Sequence, residues 1–355
     1  MKKIICMLLA CVFLLTMCPS AVATTEIPNK IDSERTVSIT CNVIAFLNAT
    51  NYKNTLDTPV PMYNLNEEIE SLYYPLKPAG YLIASYKDGH IIEFSPEAQR
   101  FTKTSGKLYY NGIMEYYEAI DDRQLIQALS NKKVEKTDLQ STFNRTYIEQ
   151  IPSIGYQLPI SAYGVEPNNP TPIAANCVKC ENDYWCVITA ITNLLQYYHD
   201  FMNADVYASN VNSATSLRRF LNQGGPEAGY LYGKGMFLFH AVDRYNFDGK
   251  FYSGLPAYFK RSDVDTYNIT EISVGKASIS QVKTQLNTYA RPVVLGLNTN
   301  SVDPTSAGRH AILAYTYMET NNTTYFIVND GWGNNSVYVC ADDIVIPEFE
   351  LMYLS

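Results

Sequence analysis

No block of lysine and arginine occurs in the 355 residues, and the formal net charge is −8. Nucleic acid needs a basic surface to neutralise phosphates, so that class of partner is excluded. Beyond the first residues there is also no run of about 18 or more uninterrupted apolar residues, the length a helix needs to cross a bilayer. No cell-wall-binding repeat and no transporter segment is present. Charged residues are scarce at 17% against 46% hydrophobic, which excludes a disordered chain and leaves enough apolar material for one large or two medium domains.

What is present begins with a basic start, Met1-Lys2-Lys3, an apolar stretch from Ile4 to Met17, and the small-x-small triplet Ala21-Val22-Ala23. This is the pattern of a secretory signal peptide, and it implies a secreted or cell-surface protein. Three of the eight cysteines, Cys6, Cys11 and Cys18, would leave with that segment. Cys41, Cys177, Cys180, Cys186 and Cys340 would remain. Five is an odd number, so an exported chain would carry at least one cysteine not paired within it. Cys177 and Cys180 could pair with each other, or one of them with Cys340. Twenty-nine tyrosines supply apolar area with a polar end, as sheets and substrate grooves use.

The central stretch is Cys186 to His199. Apolar residues at 187, 188, 190, 191, 194, 195 and 198 have helical spacing, so Cys186 falls in the first turn. A helix N-terminus favours thiolate over thiol. Gly80 to Ser95 reads as a hairpin turning at Asp88-Gly89, with His90 a solvated turn residue. Leu108 to Tyr117 reads as another strand and turn, and Gln124 to Lys136 as a polar helix or loop. Prolines 152, 159, 167, 170 and 172 mark a linker. His240 sits in an apolar segment and reads as a core or groove-wall residue. Strands are expected at Val293 to Leu297, Ala311 to Tyr317, Thr324 to Asn329, Val337 to Cys340 and Phe349 to Tyr353. Helices followed by sheet define an α+β domain.

Two further segments complete a chemical set: Gly308-Arg309-His310-Ala311 and Val328-Asn329-Asp330-Gly331-Trp332-Gly333. His310 follows Cys186 by 124 residues and Asp330 follows by twenty more. These motifs resemble the papain-like cysteine peptidases, and the Cys186 segment with Tyr197-Tyr198-His199 is closest to the streptopain branch. The resemblance implies a papain-like α+β fold, with the helical half carrying the cysteine and an antiparallel half carrying the histidine. Cys186 is then the nucleophile, His310 the general acid and base, Asp330 the orienting residue and Trp332 the cover over its bond to His310. The N-terminal hairpins resemble streptopain-type propeptides.

The implied organisation is a signal peptide (1–23), a sheet-rich propeptide domain (24–150), a linker and activation region (151–175) and a peptidase domain (176–355). The chain departs from the family at Cys180, where an oxyanion glutamine is expected. Asn182 becomes the candidate donor beside the Cys186 N–H, and Asn329 an alternative orienting residue. The expected partners are a protein or peptide substrate and the chain's own propeptide. No metal or organic cofactor is required. The alternatives are an inactive papain-like binding or adhesion protein, a Cys-His hydrolase of peptidoglycan or of double-glycine leader peptides, and a structural zinc held by Cys177, Cys180, Cys186 and Cys340.

Overall fold

The computed structural model describes residues 31–50, 52–98, 100–101, 106–141, 177–180, 185–223, 243–245, 251–272, 276–298, 309–320, 323–345 and 349–355. The signal-peptide segment, the 151–175 linker, Asn182 and His240 lie outside them.

Helix α1 (Ser33–Ala49) opens the described chain. Ile39, Val43, Phe46 and Leu47 recur at helical spacing and are its buried face. Strands β1 (Thr55–Leu56), β2 (Val60–Tyr63), β3 (Ile69–Lys77), β4 (Tyr81–Ser85), β5 (Ile91–Ser95), β6 (Leu108–Gly112), β7 (Glu115–Ala119), β8 (Gln124–Gln127) and β9 (Lys133–Glu135) follow, then the short α2 (Lys136–Ser141). The 124–136 stretch is therefore two strands rather than a helix or loop. Its alternation is weak because only Leu125 is buried in β8, and pairing with β7 supplies the order that pattern does not.

Next come α3 (Cys186–Met202), α4 (Ala214–Gln223), the β10 (Asp243–Tyr245) and β11 (Phe251–Ser253) ladder, α5 (Gly254–Tyr258) and β12 (Ile269–Ile272). Helix α6 (Ile279–Lys283) widens into a π-helical turn, and β13 (Val293–Asn298), β14 (Arg309–Thr320), β15 (Thr323–Asn329), β16 (Val337–Cys340), α7 (Ala341–Val345) and β17 (Phe349–Leu354) close the chain. The five strands expected in the C-terminal third are all present.

One sheet runs β12-β17-β13-β14-β15-β16-β5-β4-β3-β2-β6-β7-β8-β9, with β1 beside β3. The pairings are antiparallel apart from the parallel β2–β6 contact. Its middle seam pairs β16 with β5, Tyr338 opposite Phe94 and Val339 opposite Glu93. Residues 33–355 accordingly form one compact unit. The seam is covered on both faces. On one, α1 lays Ile39, Val43 and Phe46 on Leu72, Leu82 and Phe94 and equally on Tyr325, Ile327 and Tyr338. On the other, Met62, Tyr73 and Tyr116 pack with Val293, Ile312, Val328 and Val337.

Alternation along β14 assigns its two faces. Ala311, Leu313 and Tyr315 pack with α3, while Ile312 and Ala314 enter the opposite core. The tyrosines work as their chemistry allows: Tyr198 donates to the Leu354 carbonyl at 2.7 Å, Tyr258 to Val206 at 2.6 Å and Tyr325 to Ile91 at 3.2 Å. Each buries a ring and satisfies its hydroxyl.

Candidate active site

Helix α3 is enclosed: every residue from Cys186 to Tyr198 is buried. Trp185 precedes it and makes no side-chain cap bond to its first turn. The Arg218 guanidinium lies 5.4 Å from the Trp185 ring centroid. Cys186 is the helix's first residue and only 7% exposed. Burial pushes its thiol up, and the N–H groups of Ala311, Val187 and Cys186 itself pull partly back. Ala311 follows His310 on β14, so the Cys186 thiol is bonded to the main chain at the residue next to the base candidate.

His310 is the second residue of β14 and is half-buried. Its Nε2 lies 2.6 Å from the main-chain carbonyl of Asp330. A carbonyl only accepts, so Nε2 carries the hydrogen and Nδ1 keeps the lone pair. Burial lowers the imidazole pKa, the Asp330 carbonyl and carboxylate raise it, and the Arg100 guanidinium lowers it; the net direction is down. Thiol raised and imidazole lowered describe a neutral resting pair. The Trp332 ring lies nearly parallel to the imidazole, 6.0 Å between centroids.

The Asp330 carboxylate is not on the ring. Oδ2 accepts from Arg100 Nη1 at 2.6 Å and Asn334 Nδ2 at 2.6 Å, and Oδ1 from the N–H groups of Trp332 (2.7 Å) and Asn334 (3.1 Å). Burial raises this carboxyl, but Arg100 and Asn334 outweigh it and hold it below the usual range. Asn329 accepts from the Gly331 N–H at 2.9 Å and from Asn193 Nδ2 at 3.2 Å, and donates to Asn335. It ties the loop to α3 rather than to His310.

Asn193 also brackets Val178, accepting from its N–H at 2.9 Å and donating to its carbonyl at 3.2 Å. With the Cys180 N–H bonded to the Gly331 carbonyl at 2.7 Å, the 177–180 segment is pinned beside the site. Gly331 has φ +76°, and a Cβ there would lie 3.4 Å from Cys180 Sγ and 3.5 Å from His310 Cε1. Both side chains therefore converge on a residue whose backbone favours glycine.

The structure thus gathers His310, Asp330, Trp332 and Cys180 in one cluster, with Cys186 at the Ala311 N–H. Arg100, Asn193 and Asn334 were not singled out from sequence. Asn193 had a signal, a polar residue on the apolar face of a helix; Arg100 stands in no motif. Among the described residues Cys180, Cys186 and Cys340 are free thiols, and Cys177 Sγ lies 3.0 Å from the Tyr315 hydroxyl. Among these residues no group of three or more His, Cys, Asp or Glu is placed to hold a metal ion.

A cysteine at a helix start, an imidazole in a fixed tautomer on the adjoining strand, and an α+β frame around a large sheet define a protein of the cysteine-peptidase class. Consistently, the profile of the Peptidase_C39 like family matches residues 168–354, a span that holds Cys186, His310 and Asp330, and the chain belongs to that family. No curated protein matches the chain.

Proposed function

We propose that the chain is an exported cysteine endopeptidase of papain-like, streptopain-type organisation, made as a zymogen and activated by cleavage between about 145 and 175. The observation that carries this reading is the meeting of Cys186 Sγ with the Ala311 N–H, one residue from an imidazole held by Nε2. Cys186 Sγ attacks the scissile carbonyl carbon of a bound peptide as His310 Nδ1 takes the thiol proton. His310 then gives that proton to the departing amine nitrogen, and a thioester remains. Water, deprotonated by the same nitrogen, attacks the thioester; acid product and free thiol result. Because the pair rests neutral, proton transfer accompanies attack instead of preceding it. The Cys186 N–H serves the oxyanion, with Asn182 as the second donor. Asp330 acts through its carbonyl, and Trp332 shields that bond from water.

A second reading, an inactive scaffold used for binding or adhesion, is favoured by the burial of Cys186, which pushes its thiol up. One experiment separates them. A peptidyl vinyl sulfone should form an adduct at Cys186, lost in His310→Ala, and Cys186→Ala should abolish cleavage of an unfolded protein substrate. Labelling spread over the other cysteines, or indifferent to His310, would leave the scaffold reading in place.

A further inference from the structure

Arg100 lies five residues beyond β5, in the N-terminal part of the chain, yet its guanidinium is fully buried against the loop that holds His310. It sits 4.8 Å from the Tyr81 ring centroid and 5.7 Å from that of Tyr116. Nη2 is 3.4 Å from Glu93 Oε1 and Nη1 is 2.6 Å from Asp330 Oδ2, with no side-chain exposure at any of the three residues. Glu93 has its own donors, the Tyr81 hydroxyl, the Tyr116 hydroxyl at 2.5 Å and the Met114 N–H at 3.3 Å. Arg100 therefore serves chiefly Asp330. The main-chain oxygen of that same residue receives His310 Nε2.

We propose that Arg100 is a positioning residue of the peptidase site: by clamping the Asp330 carboxylate it fixes the carbonyl that sets the tautomer and ring orientation of His310. The sheet that carries Arg100 accordingly stays with the enzyme after any cut between 145 and 175. This rests on the assignment of Cys186 and His310 made above. Two observations support retention. The β5–β16 seam is a main-chain ladder, and both cores over it draw side chains from either side of the linker. Stripping the N-terminal strands would expose those cores and leave Asp330 a buried charge without its guanidinium.

The groups facing His310 are Asp330 and Arg100, with the Cys180 thiol at Gly331 and Cys186 at Ala311. In the chain cut between 145 and 175 with both parts kept together, Arg100→Gln should lower kcat about 10²-fold with KM little changed, the cost of a misplaced catalytic group. It should also raise the His310 midpoint, read by NMR, since a positive charge facing the ring is gone. Arg100→Lys should keep the midpoint and recover part of kcat. Because Arg100→Gln leaves Asp330 unpaired and can misfold, the double variant Arg100→Gln with Asp330→Asn provides a neutral pair that should fold and regain most of the rate.

Wild-type kcat in Arg100→Gln with an unmoved midpoint would overturn the inference, as would a folded double variant as slow as the single one. A cut enzyme that sheds the residues before 145 and still turns over substrate would do the same. If Cys186→Ala keeps full turnover, the site assignment falls and this inference with it; if Cys186→Ala is dead while both Arg100 variants run at wild-type kcat, the Arg100 inference alone falls.

Discussion

Two charged clusters tie the N-terminal strands to the C-terminal ones, and they differ in burial. Arg100 bridges Glu93 and Asp330 with no exposed side-chain surface. His90 bridges Asp88, at 2.6 Å from Nδ1, and Asp343 of α7, at 3.0 Å from Nε2, with side chains 22–37% exposed. Both span the same seam, but they differ in what breaking them leaves behind. A carboxylate stranded in the Arg100 cluster has no water to turn to, whereas one stranded beside His90 rehydrates. The first cluster therefore supports an active-site loop rigidly; the second staples the turn between β4 and β5.

The sharpest way to break this contrast is Arg100→Met. Loss of one partner from a buried pair typically costs about 3–5 kcal/mol, a large share of the roughly 5–15 kcal/mol of a typical domain, so the urea midpoint should fall markedly. If it moves no more than that of a His90 variant, burial is not what separates the clusters.

His90→Gln should cost less, about 1 kcal/mol, and its cost should depend on pH. Burial lowers the His90 ring, but the Asp343 and Asp88 carboxylates overcome this and raise it to about 10 from 6.5. A raised pKa means that the contribution is complete below 6.5 and fades as pH climbs through about 10. Asp88 is held at about 2 against an ordinary 3.8, mainly by His90 working against burial, so its share is complete above 3.8 and fades as pH falls through about 2. Wild type and variant should thus differ most between 3.8 and 6.5 and converge near pH 10. A stability difference independent of pH would rule out the ionic account.

His90 also shows where sequence reasoning stopped. Beside Asp88-Gly89 it reads as a solvated turn residue, and the turn is indeed there, but Asp343 lies 253 residues away and only the β5–β16 pairing brings it close. Arg100 and Asp330, 230 residues apart, are the same case. Local chemistry was legible: the periodicity that makes α3, the cysteine at its first residue, the strand that carries His310 and the Asn329-to-Gly333 loop. The motif named Asp330 but not which of its oxygens faces the ring. That is decided by a guanidinium from the segment after β5, and no spacing rule encodes it. The β8–β9 pair was illegible for a related reason, since its alternation is too weak to register without β7 beside it.

A third cluster calibrates the low end of the comparison because it crosses no seam. Glu67 accepts from Lys107, Lys136 and the Tyr109 hydroxyl at 2.9 Å, yet its side chain is 40% exposed. Burial raises the carboxyl, but the two lysines and the tyrosine together overcome it and bring it down to about 2 from 4.5. A lowered pKa places the contribution above pH 4.5 and removes it as pH falls through about 2. At neutral pH Glu67→Gln should shift stability by no more than about 0.5 kcal/mol, because solvent screens the pair and the amide still accepts from a lysine. Raising salt from roughly 0.01 M to 1 M shortens the screening length from about 30 Å to 3 Å and should erase the difference in urea midpoint. The same change should leave the Arg100→Met deficit nearly untouched, since ions cannot reach a guanidinium with no exposed surface. Equal salt sensitivity in the two variants would mean that exposure does not order these clusters.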